Sequence, residues 1–319
     1  MRVEASDLSD SLSEGFPPAT AEKVHRLLGV LRELQAVGET RNRFTLKGGT
    51  ALNVFLSGGV PRLSIDLDLM VTGFPGASAN SAELKRVVRV LESLSTGLGY
   101  STNRTLTEAA CTLKLGYKNH LGSADHIKLD LDFLNRIPLR LPVTGRGPSL
   151  FQADDVAFQV VAPPELLGQK LTAVAYRAVE RDLYDMWRML SMDWQTREGA
   201  RSSYLAYSLL QDAEWHRLDY PIRLNVDYRR ERLGDVLRVG ETPPTLEAVR
   251  ETALACLARA SPPFTAATPD EQLLRKRILQ GDTSAFAELL GEEQPVRITD
   301  LSNHPALAWR LRQIAKTRP

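Results

Sequence analysis

Cysteine is nearly absent from this 319-residue chain: Cys111 and Cys256 stand far apart, each in an apolar stretch. Two such thiols make neither a disulfide framework nor a zinc site, and they fit a reducing cytoplasm. Long apolar runs are missing as well. No stretch approaches the ~20 residues that span a bilayer, so no membrane helix is expected. Charge of one sign is missing too, since 40 Lys and Arg face 39 Asp and Glu. That balance provides no overall field to gather nucleic acid or acidic lipid, so any RNA contact needs a local basic surface. The five histidines (25, 120, 126, 216 and 304) show no metal-ligand spacing. Met1 to Thr20 is acidic and Ser-rich and ends in Pro17-Pro18. Lacking a basic start and an apolar stretch, it is no secretory signal, and residues 1–20 read as a flexible arm.

What remains has an ordinary globular composition, long enough for one large or two ordinary domains with a buried core. Apolar spacing predicts a helix over Ala21–Val37, with Thr20 as N-cap and Gly38 as stop. A short strand, Arg43 to Lys47, runs into Gly48-Gly49 and a helix from Thr50 to Leu56. Ser64–Val71 alternates as a strand, and Ser81–Leu94 is an amphipathic helix. Cys111–Tyr117 and Ile127–Phe133 alternate too, as an antiparallel pair beside the first two strands. A Pro- and Gly-rich stretch, Pro138–Pro148, precedes a last strand over Ala157–Val161. From Pro164 the chain turns helical, first to about Val179 and then over Arg181–Met192. The expected class is α+β: a mixed sheet flanked by helices over residues 21–162 and a mainly helical domain over 163–319.

Asp66 and Asp68 stand two apart in a strand, so both carboxylates leave the same face, about 6–7 Å apart at the backbone. Paired acids on a strand face repel and lose hydration unless a cation offsets them. Oxygen-only donors of this kind suit Mg²⁺ or Mn²⁺, which also grip nucleotide phosphates. Asp130 and Asp132 repeat the arrangement on another strand. If the two strands are neighbours, three or four carboxylates meet. Gly48-Gly49-Thr50, between a strand and a helix, offers close backbone approach, helix N–H groups and a hydroxyl to a phosphate. Lys170, Arg177 and Arg181 stand at near-helical spacing as donors for triphosphate oxygens, and Asp182 and Asp185 share one helix face.

Taken in order, these segments resemble the nucleotidyltransferase superfamily. More narrowly, Lys47-Gly-Gly-Thr-Ala-Leu52, Arg62-Leu-Ser-Ile-Asp-Leu-Asp-Leu69 and Lys170 with Arg181-Asp-Leu-Tyr-Asp185 resemble the AbiEii/AbiGii toxin family. That family includes the nucleotidyltransferase toxins of mycobacterial toxin–antitoxin pairs. The resemblance implies a minimal nucleotidyltransferase fold with a helical C-terminal half. It makes Asp66 and Asp68 the metal-binding acids, with Asp130 rather than Asp132 as the third. Lys170 and Asp185 complete the active site in this reading, and Lys47, Gly48, Gly49, Thr50, Lys170 and Arg181 bind the nucleotide. It further implies a nucleoside triphosphate donor, a tRNA 3′ end as acceptor with blocked translation as the outcome, and a cognate antitoxin.

Three basic clusters offer a groove for RNA: Arg229-Arg230-Glu-Arg232, Arg275-Lys-Arg277 and the tail Arg310, Arg312, Lys316 and Arg318. Tyr204, Tyr207 and Trp215 are candidates for stacking on bases. Two other outcomes share these motifs. One is nucleotidylation of a protein or small molecule, and the other is a nucleotide-binding partner protein without turnover.

Overall fold

Period-two alternation places the strands largely where the sequence predicts them. The computed structural model describes residues 3–73, 81–211, 228–264, 266–291 and 298–317. Its strands are β1 Phe44–Lys47, β2 Asp66–Val71, β3 Ser101–Leu106, β4 Ala110–Lys118, β5 Ala124–Asp132, β6 Val143–Arg146 and β7 Ala157–Val160. They form one mixed sheet in the order β3-β4-β5-β2-β1-β7-β6. The pairings β1–β2, β3–β4, β4–β5 and β6–β7 are antiparallel, whereas β2–β5 and β1–β7 are parallel. The outer strands β3 and β6 have little signal in the sequence. Both show mostly exposed, polar residues, so neither displays the apolar alternation of a half-buried strand.

By its contacts the chain divides into two units. The first comprises Met1–Arg136, Pro142–Val161 and Gly234–Glu241, and the second Ile137–Leu141, Ala162–Leu233 and Thr242–Pro319.

In the first unit the sheet has one apolar face. Leu67 and Leu69 of β2, Ile127, Leu129 and Leu131 of β5, and Cys111, Leu113 and Leu115 of β4 are all buried. The helix Pro18–Ala36 packs on β5, and the helix Ala82–Gly97 packs on β3 and β4. They bring Val24, Leu27, Leu28 and Leu31, and Leu84, Val88 and Leu91, into the core. Each fully buried Leu stabilises this layer by roughly 1.5–3 kcal/mol relative to exposure.

The first helix starts earlier than predicted, because Pro18 suits the first turn, where no backbone donor is needed. Thr20 lies inside that helix and donates its hydroxyl to the Asp235 carbonyl at 2.7 Å. Residues 3–16, expected as an arm, instead fold as two short helical turns, Ala5–Leu8 and Ser9–Ser13. Val3, Leu8 and Phe16 hold them in place from buried positions, and the Gly15 carbonyl accepts from the Val239 N–H at 2.8 Å.

The second unit is helical in its described parts, opening with Pro163–Tyr176, Glu180–Ser191 and Ala200–Gln211 and closing with Pro305–Thr317. Its first helix stops at Tyr176 rather than Val179. Ala178 adopts a left-handed conformation (φ 43°), and the chain restarts as a helix at Glu180. Among the described residues no helix is long and apolar enough to cross a membrane.

Candidate active site

Strand register gathers the predicted acids. On the parallel pair β2–β5, Asp68 lies beside Asp130, Asp66 beside Lys128 and Met70 beside Asp132. On the other flank, antiparallel β1 sets Lys47 beside Asp68. Registered partners leave a sheet on the same side, so Lys47, Asp66, Asp68, Lys128, Asp130 and Asp132 share one half-buried face. The leucines between them fill the opposite face. Strands run about 4.8 Å apart, and like charges directly opposite at that spacing are destabilising. Asp66, Asp68 and Asp130 are therefore brought together at an electrostatic cost.

The two acids of β5 differ in their partners. Asp130 accepts from the Thr112 hydroxyl at 2.6 Å, and its other oxygen lies 2.5 Å from the Lys128 ammonium. The hydrogen bond to Asp130, and beyond it the negative field of Asp130, Asp66 and Asp68, raises the Lys128 pKa despite some burial. Asp132 is held by Lys47 at 2.5 Å, by the Asn135 amide at 2.9 Å, and by the backbone N–H groups of Leu134 and Asn135. Burial pushes this carboxyl up, but Lys47 and Asn135 outweigh it and hold the pKa at about 2. Asp132 is thus pinned beside the turn, while Asp130 is the acid set next to Asp68. Lys47, expected at the nucleotide, has its ammonium on Asp132.

The glycine turn closes on the same acids. Gly48 follows β1 with φ +71°, and a Cβ added there would come within 2.0 Å of Asp68 Oδ2. Only glycine lets the backbone lie against that carboxylate. A Cβ on Gly49 would meet Ser64 Oγ at 2.6 Å and buried Arg62 Nη2 at 3.0 Å. The Thr50 hydroxyl, expected to meet a phosphate, is buried and donates to the Asp66 carbonyl at 2.6 Å. In the structure it ties the turn to β2. The helix itself passes from one α turn, Gly48–Thr50, into a π-helix over Ala51–Leu56, which apolar spacing alone did not reveal.

In the second unit, the nearly buried Lys170 lies 2.6 Å from Asp185 and 3.5 Å from Asp182. Asp185 is fully buried. Arg177 adds a forked contact to Asp182, at 2.7 and 3.1 Å. Arg177 caps the end of Lys170's helix, and Arg181, exposed, stands on the next one. The three cations thus stand on two successive helices and the turn between them, with Arg181 on the second helix as expected.

Several candidates for RNA contact serve the second unit instead. Arg232 pairs with Glu180 at 3.0 Å, and Arg277 clamps Asp282 and Glu288 at 2.7 and 2.6 Å. Tyr204 is buried and stacks on Phe264, and Tyr207 donates to buried Glu165 at 2.7 Å. Trp215 and Arg318 lie outside the described residues. Lys128 and Thr112, the partners of Asp130, were missed by the sequence reading. Their signal was available, since each falls on the acid side of an alternating strand.

Among the described residues no three His, Cys, Asp or Glu side chains are grouped closely enough to hold a metal ion. The donor chemistry nonetheless fits Mg²⁺, which takes one or two carboxylates, substrate phosphates and water rather than an all-protein cage. Asp66 and Asp68 supply such a pair.

Comparison with known proteins identifies the family and the fold. The family described as nucleotidyl transferase AbiEii toxin, type IV TA system, matches residues 30–313. Among solved structures, the chain is similar to MenT4, the nucleotidyltransferase toxin Rv2826c from Mycobacterium tuberculosis H37Rv. Identity is 20% and the TM-score 0.66, over 91% of this chain and 99% of that one. At that identity the likeness shows the fold. No curated protein matches the chain significantly.

Proposed function

The chain belongs to the AbiEii nucleotidyltransferase toxin family of type IV toxin–antitoxin systems, and from that premise we propose that it transfers a nucleotidyl group from a nucleoside triphosphate to the 3′ end of tRNA, blocking translation. The observation that carries the chemistry is the register of Asp68 beside Asp130, with Asp66 on the same face and Gly48 against Asp68. An acceptor hydroxyl attacks the α-phosphorus, the bond from that phosphorus to the bridging oxygen breaks, and pyrophosphate leaves.

Asp66 and Asp68 would hold Mg²⁺ or Mn²⁺, which when bound neutralises triphosphate charge and stabilises the leaving pyrophosphate. Asp130, oriented by Thr112, takes up the proton of the acceptor hydroxyl. Gly48 and Gly49 keep the turn free of side chains where the triphosphate approaches. Lys170, Asp185 and Arg181 are assigned to the reaction through the family motif. The tRNA acceptor likewise rests on the family resemblance. A cognate antitoxin follows from the toxin–antitoxin class, and a cytoplasmic setting from the substrates.

The test supplies the protein with each α-labelled triphosphate, Mg²⁺ and a total cell extract. Label should enter RNA of tRNA size, with release of pyrophosphate, and Asp68→Ala should abolish both. Label in protein or in small molecules instead would move the acceptor to those classes. Binding without pyrophosphate release from any triphosphate would leave a partner protein without turnover.

A further inference from the structure

The acid face carries its own cation. Lys128 precedes Asp130 by two residues on β5 and lies in register with Asp66, so its side chain leaves the sheet among the three acids. The ammonium is 2.5 Å from one oxygen of Asp130, and the Thr112 hydroxyl takes the other at 2.6 Å. Side-chain exposures of 38% for Lys128 and 29% for Asp130 leave the pair in contact with water. Ion pairs in that setting are weak and exchange readily. A hard divalent cation seeks the same carboxylate oxygen. Lys47, on the same face and in register with Asp68, is held 2.5 Å from Asp132.

We propose that Lys128 is a resident counter-cation of the acid face, which a divalent ion must displace from Asp130 before Asp66, Asp68 and Asp130 can act together on that ion. This rests on the metal-dependent reading above and deepens it. In the absence of metal, Lys128 offsets the repulsion between Asp68 and Asp130. When metal enters, the lysine leaves Asp130 and its charge becomes available to a triphosphate oxygen. Affinity for the divalent ion alone is therefore held low, and an arriving triphosphate raises it by giving Lys128 another anion.

The experiment measures binding of Mn²⁺ alone to the full chain, by the electron paramagnetic resonance signal of free Mn²⁺ and without nucleotide. K128M and K128Q should each bind Mn²⁺ about tenfold more tightly than the parent, the effect of removing one close charge near a protein surface. K128R should stay near the parent. Lys114 is exposed and lies beside Lys128 on β4, so K114M reports the general field and should change affinity less than about threefold at ordinary ionic strength. In an Asp130→Asn background, K128M should add little, because the contested oxygen is altered.

If K128M and K128Q both match the parent, or K114M tightens binding as much as K128M, the proposal is overturned. Loss of Mn²⁺ binding in Asp66→Asn alongside either result would still leave the metal reading intact. Parent-like affinity in both Asp66→Asn and Asp68→Asn overturns the metal reading instead. No Mn²⁺ binding in the parent and K128M alike overturns the proposal, and overturns the metal reading too if adding triphosphate restores none.

Discussion

Asp66 and Asp68 share a half-exposed strand face with a third acid in register beside them, whereas Asp182 and Asp185 sit buried on a helix against Lys170 and Arg177. Both pairs carry the same charge, at spacings of two and three residues that align side chains in their respective elements. On the strand, Leu67 and Leu69 of the opposite face carry the packing. The helix pair sits inside its unit, where an ionised group survives only if it is paired. Acids gathered in register on one half-exposed strand face, against their mutual repulsion, point to a ligand. Acids buried against cations also hold their own unit together, whatever part they take in the reaction.

The largest expected effect breaks or confirms that contrast. Asp185→Ala leaves Lys170 beside a lost partner in a buried position and should destabilise the protein by about 3–5 kcal/mol. Asp66→Asn should leave stability within about 0.5 kcal/mol of the parent, or raise it slightly by relieving like-charge repulsion. Urea unfolding of the two variants measures both. Equal stabilities would show that the helix pair is not structural and would erase the distinction between the regions. A Lys170→Met, Asp185→Leu double variant sharpens it, since replacing both buried charges with apolar groups should recover most of the loss.

The sequence made the strand face more legible than the helix pair. Strict alternation in Asp66-Leu-Asp-Leu69 and Ile127-Lys-Leu-Asp-Leu-Asp132 sets which residues face the core, so the acid side could be read without coordinates. Register could not be read this way. Nothing in either segment says that β2 and β5 run parallel with Asp68 opposite Asp130, because that pairing depends on a crossover through β3 and β4. Lys47 shows a second reason for the misses. Beside Gly48 it looks like a nucleotide contact, and only the fold brings Asp132, 85 residues away, to its ammonium. The interruption after Tyr176 was hidden as well, since Arg177 and Ala178 carry no Gly or Pro signal for the left-handed residue that ends the helix.

Asp132 offers a smaller test on the same sheet. Its carboxyl titrates near 2 in the folded protein, against 3.8 as the ordinary value, so its contribution is fully present above about pH 4. That contribution is lost as pH falls through about 2, because the unfolded chain takes up the proton first. The shift corresponds to about 2 kcal/mol. Between pH 4 and 2 the parent should therefore lose about that much more stability than Asp132→Asn, measured by urea unfolding at each pH. Parallel curves would mean that the contact with Lys47 and Asn135 does not hold the acid in its charged form.

Gly48 gives the most direct test of the acid face. Alanine at φ +71° costs about 1–2 kcal/mol in a left-handed conformation, a cost unrelated to the site. Gly58 supplies the control, with φ +67° and nothing within 4 Å of an added Cβ. Both variants should show that backbone cost in thermal unfolding, and Gly48→Ala should lose more than Gly58→Ala because its methyl also meets Asp68. They should part in activity, because only the new methyl at Gly48 pushes Asp68 Oδ2 from its place. A displacement of that order at a reacting centre lowers transfer by about a hundredfold, read as pyrophosphate release under saturating triphosphate. If both variants keep the parent's rate, the carboxylate of Asp68 tolerates movement and cannot be a metal ligand of fixed geometry. If both lose it equally, the turn matters for its backbone conformation and not for its approach to Asp68.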